Sequence, residues 1–137
     1  RGGTINVPAV AGFGKAAEIA IRDKEIRHKK MSDLDTMCLS LLKEIEYIGL
    51  LGDPQKRLPG VFSIIVNKED FNNERFIKKI SDEYAVSTGS ACTAGQPSHV
   101  LQAIGKGDLT SKVLRVSISE NTNLEDVEKL ISTLSKI

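Results

Sequence analysis

Residues 113–119, Val-Leu-Arg-Val-Ser-Ile-Ser, alternate between apolar and polar side chains along their whole length. Successive side chains of a β-strand point to opposite faces, so this pattern is typical of a strand with one buried and one open face. Leu114, Val116 and Ile118 should face a hydrophobic core, and Arg115 should stand on the open face among serines. The segment therefore predicts a sheet that is covered on one side only.

The rest of the sequence supplies further strands and the helices that cover the sheet. A buried strand is predicted over residues 61–66 and a short strand over residues 84–87. Apolar periodicity and capping residues predict five helices. These are residues 8–28 with Asn6 as N-cap, a helix beginning at the Ser32-x-x-Asp35 capping box and ending at Gly49 or Gly52, a short helix after Asn72 or Asn73, residues 97–104, and a last helix capped at Thr122. This order indicates an α+β fold, with a small, mostly antiparallel sheet covered by helices on one face.

Composition narrows the class of protein. The 137 residues include 40% hydrophobic and 27% charged side chains, which is ordinary for one globular domain. A formal charge of +1 gives no electrostatic reason to expect nucleic acid or a membrane surface as a partner. The two cysteines form no Cys/His cluster, so we expect no metal site, and their number fits a reducing, cytoplasmic location.

The segment from Ser87 to Pro97 consists of small residues around Cys92. Glycines and serines permit a mobile loop that exposes a thiol, which suits a nucleophile that must attack one partner and then reach another. The alternative is a structural cysteine in a flexible turn. Cys38, in contrast, lies on the apolar stripe of a predicted helix, where a buried and unreactive thiol is expected.

Two further positions carry candidate binding groups. Arg115 could point into solvent, but a strand-mounted guanidinium is also suited to bidentate binding of a carboxylate. A loop thiol together with such an arginine indicates an amino-acid substrate. Thr4, in the Arg1-Gly-Gly-Thr4 segment ahead of a helix, is a weaker candidate for phosphate binding, since the segment matches no established phosphate-loop pattern.

Three segments taken together resemble class I cysteine desulfurases, the NifS/IscS-like members of the class V aminotransferase superfamily. They are residues 1–16, which contain Arg-Gly-Gly-Thr-Ile-Asn-Val-Pro; residues 87–101, which contain Ser-Thr-Gly-Ser-Ala-Cys-Thr-Ala-Gly; and residues 114–119. The resemblance implies a homodimeric fold-type-I enzyme that uses pyridoxal phosphate to convert L-cysteine to L-alanine. It implies that Cys92 carries the persulfide, Arg115 binds the substrate carboxylate, and Thr4 contacts the phosphate of the other subunit's cofactor. Sulfur would pass to acceptor proteins such as an iron–sulfur scaffold.

The resemblance also implies that important parts lie elsewhere. The family's cofactor-binding lysine, cofactor-stacking histidine and acidic partner of the pyridine nitrogen have no counterpart in this sequence, and the His28-Lys29 pair is rejected because no Gly-Pro loop follows it. We therefore expect a C-terminal portion of such an enzyme, inactive alone, with residues 1–30 as phosphate-facing loop and connecting helix and residues 31–137 as small domain. Two alternatives stay open: a non-catalytic sulfur-relay or partner-binding module, and a fragment of another pyridoxal-phosphate-dependent lyase or aminotransferase.

Overall fold

The computed structural model describes residues 2–88 and 98–137. In this part of the chain, a three-stranded antiparallel sheet has the strand order β1-β2-β3. The strands are β1 (Ile48–Leu50), β2 (Val61–Val66) and β3 (Val113–Ser117). The same described ranges contain the helices α1 (Val7–Lys43), α2 (Asn73–Ile80), α3 (His99–Ala103) and α4 (Leu124–Leu134), and a 3-10 turn at Gly107–Leu109.

The core lies on one face of this sheet. The strands contribute alternate side chains that are buried, and the second half of α1 and the inner stripe of α4 pack over them. The most buried members are Phe62, Ile64, Val66, Leu114 and Leu134. The alternation in β3 is confirmed from Leu114 to Ser117, whereas Val113 is buried although it shares a face with Arg115. The α+β fold is also confirmed.

Helix α1 differs from the prediction because it is one continuous helix of 37 residues and not two. Asn6 does cap its start, with the side-chain oxygen accepting a hydrogen bond from the Ala9 amide at 3.1 Å. Ser32, predicted to begin a second helix, lies inside α1, where its carbonyl accepts from the Thr36 hydroxyl at 2.9 Å. Residues 27–30 contain neither Gly nor Pro, and Arg27, Lys29 and Lys30 are strong helix formers, so the helix continues through them.

The structure also differs from three smaller predictions. Helix α1 ends at Lys43, and the Gly49 that was expected near its end belongs to β1, a strand that the sequence analysis missed. The last helix is capped by Asn123 and not by Thr122, whose hydroxyl instead accepts from the Ser119 amide at 3.0 Å. The predicted strand over residues 84–87 is reduced to a single bridge at Ser87.

A buried ion pair joins α1 to the start of β2. Asp35 is 8% exposed and accepts hydrogen bonds from both Nη atoms of Arg57, with 2.8 Å to Nη1. The same carboxylate accepts from the Gly60 amide at 2.6 Å. The Arg57 guanidinium also lies over the Phe62 ring, 4.9 Å from its centroid. These contacts, which we name the Asp35 clamp, fix the segment before β2 against α1.

Candidate functional site

The open face of the sheet carries Arg115 on β3, an outer strand of the three. Arg115 lies in the middle of β3 and is exposed, while its neighbours Leu114 and Val116 are buried on the opposite face. Burial of those two apolar side chains forces the guanidinium onto the open face, because side chains alternate along a strand. The structure thus places Arg115 where the sequence predicted it.

Arg115 is flanked by a serine on each side. In the strand register, Ser63 of β2 is its partner on one side. On the other side, Ser87 exchanges two backbone hydrogen bonds with it, of 2.6 Å and 3.1 Å. Directly paired residues place their side chains on the same face of a sheet. We name this row of Ser63, Arg115 and Ser87 the polar row.

The guanidinium of Arg115 has no partner within residues 2–88 and 98–137. Neither an ion pair nor a side-chain hydrogen bond of Arg115 occurs among them. An arginine offers five N–H donors in a planar fork that matches a carboxylate. The polar row can therefore bind an anion such as the carboxylate of an amino acid.

Cys92 lies outside the described residues, but its flanks are placed. Ser87, five positions before it, is paired with Arg115. On the far side, the Ser98 hydroxyl caps α3 by accepting from the Leu101 amide at 3.3 Å.

Cys38 is a structural residue, as predicted. Its side chain is 4% exposed, in the core between α1 and the sheet. Burial, followed by the nearby negative charge of Asp35, raises the pKa of the Cys38 thiol to about 11. Near neutral pH the thiol therefore stays protonated and is a poor nucleophile.

Thr4 is not brought near Arg115 by the fold of this chain. It is exposed and precedes α1, whose first buried residue is Leu34. The 27 residue-to-residue steps from Val7 to Leu34 correspond to about 40 Å of helix at a rise of 1.5 Å per residue. Any joint role for Thr4 and Arg115 would thus need a second subunit or more of the protein.

Pyridoxal phosphate needs a lysine that forms an imine with it, beside a phosphate cradle. The open face around Arg115 carries no lysine from the three described strands, whose side chains there are Val61, Ser63, Ile65, Val113 and Ser117. Lys29 of the His28-Lys29 pair is exposed in mid-helix and pairs with Asp33 at 3.0 Å. The described residues therefore do not form a complete site for this cofactor.

The described ranges contain neither a metal-binding cluster nor a membrane-spanning helix. Among residues 2–88 and 98–137, no three His, Cys, Asp or Glu side chains come together in a way that could hold a metal ion. In the same ranges, no helix combines the length and apolar character needed to cross a bilayer.

Sequence reasoning missed Ser63 and Ser87 as members of the site. The signal for Ser63 is a lone hydroxyl in the otherwise apolar run Val-Phe-Ser-Ile-Ile-Val at residues 61–66. That hydroxyl marks the open face of β2, but only the strand register shows that it stands beside Arg115.

Comparison with known proteins gives consistent matches over the chain. Mouse cysteine desulfurase is 33% identical over 132 residues, covering 93% of this chain and 28% of that protein. The cysteine desulfurase IscS of Shewanella frigidimarina is 31% identical over 139 residues, covering 99% of this chain and 34% of that protein. The chain thus spans about a third of the length of these relatives.

The fold is shared with solved structures. A NifS-like protein from Rickettsia africae superposes with a TM-score of 0.82 at 25% identity, covering 99% of this chain and 36% of that one. DndA from Streptomyces lividans superposes with a TM-score of 0.61 at 26% identity, covering 87% of this chain and 33% of that one.

The chain also matches a protein family over nearly its whole length. Residues 1–130 match the family described as Aminotransferase class-V. The match includes the segment before α1, the polar row and the segment around Cys92. The chain belongs to the class-V aminotransferase family, and within it is similar to the NifS/IscS-like cysteine desulfurases.

Proposed function

We propose that this chain is the substrate-anchoring and sulfur-accepting part of a cysteine desulfurase. The observation that carries the proposal is the exposed Arg115 guanidinium, which lies between two serines on the open sheet face. One of them, Ser87, is five positions before Cys92 in the sequence. The relatives named cysteine desulfurase match this chain over nearly its whole length, which supports the assignment.

In the proposed reaction, Arg115 binds the carboxylate of L-cysteine through two N–H donors. The Cys92 thiolate attacks the substrate sulfur, and a sulfur–sulfur bond forms as the substrate carbon–sulfur bond breaks. The carbon takes up a proton and leaves as L-alanine. Cys92 then holds a persulfide, whose terminal sulfur passes to an acceptor protein such as an iron–sulfur scaffold.

Pyridoxal phosphate is the proposed cofactor of the whole protein. Membership of the class-V aminotransferase family supports this. The described part of the chain does not fit the cofactor by itself, so we propose that the rest of the protein supplies the lysine and that residues 1–137 are inactive alone. Thr4 is exposed and precedes the start of α1, which lies about 40 Å along the helix from Leu34. This position supports a contact of Thr4 with a cofactor phosphate held by a partner subunit of a homodimer.

The first part of α1 supports a division of the chain into two regions. Large apolar side chains are exposed there, with Val7 at 66%, Phe13 at 77% and Ile21 at 77%. Exposed apolar area of this extent is expected to be covered in the assembled protein. We propose residues 1–30 as a connecting region that contacts other parts of the enzyme, and residues 31–137 as the small domain. A cytoplasmic location is also proposed.

The experiment is steady-state kinetics of the full-length protein with its cofactor, measuring alanine formed from L-cysteine. Arg115→Ala removes a two-pronged, charge-assisted contact, so we expect KM for L-cysteine to rise at least tenfold. Arg75→Ala, a change at an exposed arginine of α2, is the matched control and should leave KM unchanged. An unchanged KM in Arg115→Ala would remove this residue from substrate binding.

A further inference from the structure

The pairing between Ser63 and Arg115 belongs to the closer of the two kinds of antiparallel pair. Gly60 accepts a hydrogen bond from Ile118, and Val66 donates one to Lys112, so the even-numbered positions of β2 form the hydrogen-bonded pairs with β3. Ser63 and Arg115 therefore face each other at a non-hydrogen-bonded position. There the α-carbons lie only about 4.5 Å apart and the side chains are closest.

Ser63 is held firmly in this position. It lies in the central strand of the three, and its carbonyl accepts from the Leu51 amide at 2.7 Å on the side away from β3. Ser63 is half-buried, whereas Arg115 is exposed. A short side chain on a fixed backbone thus stands beside a long side chain that has many rotamers.

The Arg115 guanidinium has more N–H donors than a bound carboxylate can accept, and the Ser63 hydroxyl is a neighbouring acceptor. Arginine has five N–H groups, and a bound carboxylate uses two of them. The other three need acceptors, and a serine oxygen has two lone pairs to offer.

We propose that Ser63 is a positioning residue for Arg115. In the structure the two side chains are not hydrogen-bonded to each other. When a carboxylate binds, the Ser63 hydroxyl accepts an inner N–H of the guanidinium and holds the fork so that the two outer N–H groups face the carboxylate. This inference rests on the proposed function, since it assigns how that same site holds its substrate.

The test uses the full-length protein with its cofactor and measures KM and kcat for L-cysteine. Threonine and valine have nearly the same shape and both suit a strand, but only threonine keeps the hydroxyl. We expect Ser63→Val and Ser63→Ala to raise KM about fivefold with kcat within twofold, while Ser63→Thr stays within twofold of the wild type. Ser117→Ala, one pair further along the open face of β3, is the control and should not change KM.

A double variant shows whether Ser63 acts through Arg115. In the Arg115→Ala background, Ser63→Ala should leave KM unchanged, because the group that it positions is absent. Equal effects of Ser63→Thr and Ser63→Val, or an additive effect in the double variant, would overturn the proposal by showing a steric or independent role. If Arg115→Ala alone leaves KM unchanged, the proposed function fails first. If Arg115→Ala raises KM and Ser63→Val does not, only the role of Ser63 fails.

Discussion

Removal of the Asp35 carboxylate should release the segment before β2 from α1. In Asp35→Ala, the two hydrogen bonds from Arg57 and the 2.6 Å hydrogen bond from the Gly60 amide are lost. The side chains of Arg57 and Asp35 are only 15% and 11% exposed, so water replaces the lost partner poorly. Breaking a buried pair in this way costs about 3–5 kcal/mol.

The lower end of that range applies here. Arg57 keeps two weaker acceptors, the carbonyls of Leu58 at 3.4 Å and Val61 at 3.3 Å, which offset part of the loss. A cost of about 3 kcal/mol in the free energy of local opening corresponds to roughly hundredfold faster amide exchange, at 1.36 kcal/mol per factor of ten. Gly60 is the position where this acceleration should be largest.

The assay is hydrogen–deuterium exchange of the full-length protein, read by mass spectrometry on peptides that contain Gly60. Asp33→Ala on the same helix is the matched control, since its ion pair with Lys29 is exposed and contributes little. The control should change exchange at Gly60 by less than about threefold. If exchange at Gly60 in Asp35→Ala also stays within about threefold of the wild type, the clamp does not hold the start of β2.

Three further predictions follow from the core and the turns. Burial raises the pKa of the Cys38 thiol to about 11 from its ordinary 9.0, so the unfolded chain loses this proton first and the free energy of unfolding should fall between about pH 9 and 11. Urea titrations should show a weaker fall in Cys38→Ala than in the wild type. An equal fall in the two proteins would contradict the shift. Gly60→Ala should destabilise the protein by more than about 1 kcal/mol, because φ is +85° and a Cβ would lie only 3.3 Å from the Ile118 carbonyl oxygen and displace the end of the Met31 side chain. A melting temperature equal to that of the wild type would refute this. Asn73→Ala should lower the free energy of unfolding by about 2–3 kcal/mol, because Asn73 is only 2% exposed and its side chain donates to the Thr110 and Val113 carbonyls at 2.7 and 2.8 Å. Asn72→Ala removes only a helix cap and is the control. A loss in Asn73→Ala no larger than that in Asn72→Ala would contradict the prediction.

The sequence was sufficient for features that depend on short periodicities. Alternation along β3 predicted which face carries Arg115, and the Asn6 cap was identified from its place before Pro8. These features depend on side chains a few positions apart, where burial and capping leave a local pattern.

Features that depend on distant pairs could not be predicted in this way. The motif Ser32-x-x-Asp35 has the local form of a helix start, yet Asp35 serves a partner 22 positions away. Asp35 is paired with Arg57, and α1 continues through Ser32 to Lys43. The polar row is likewise a product of strand register, since Ser63, Ser87 and Arg115 are widely separated in sequence.

The most direct test of the central claim is to locate sulfur on the two cysteines of this chain. The full-length protein is treated with L-cysteine and its peptides are examined by mass spectrometry for one added sulfur atom. We expect a persulfide on Cys92 that persists in Cys38→Ala and is absent in Cys92→Ala, since Cys38 is buried and protonated. Undiminished sulfur transfer to an acceptor by Cys92→Ala, or a persulfide found on Cys38 instead, would contradict the account.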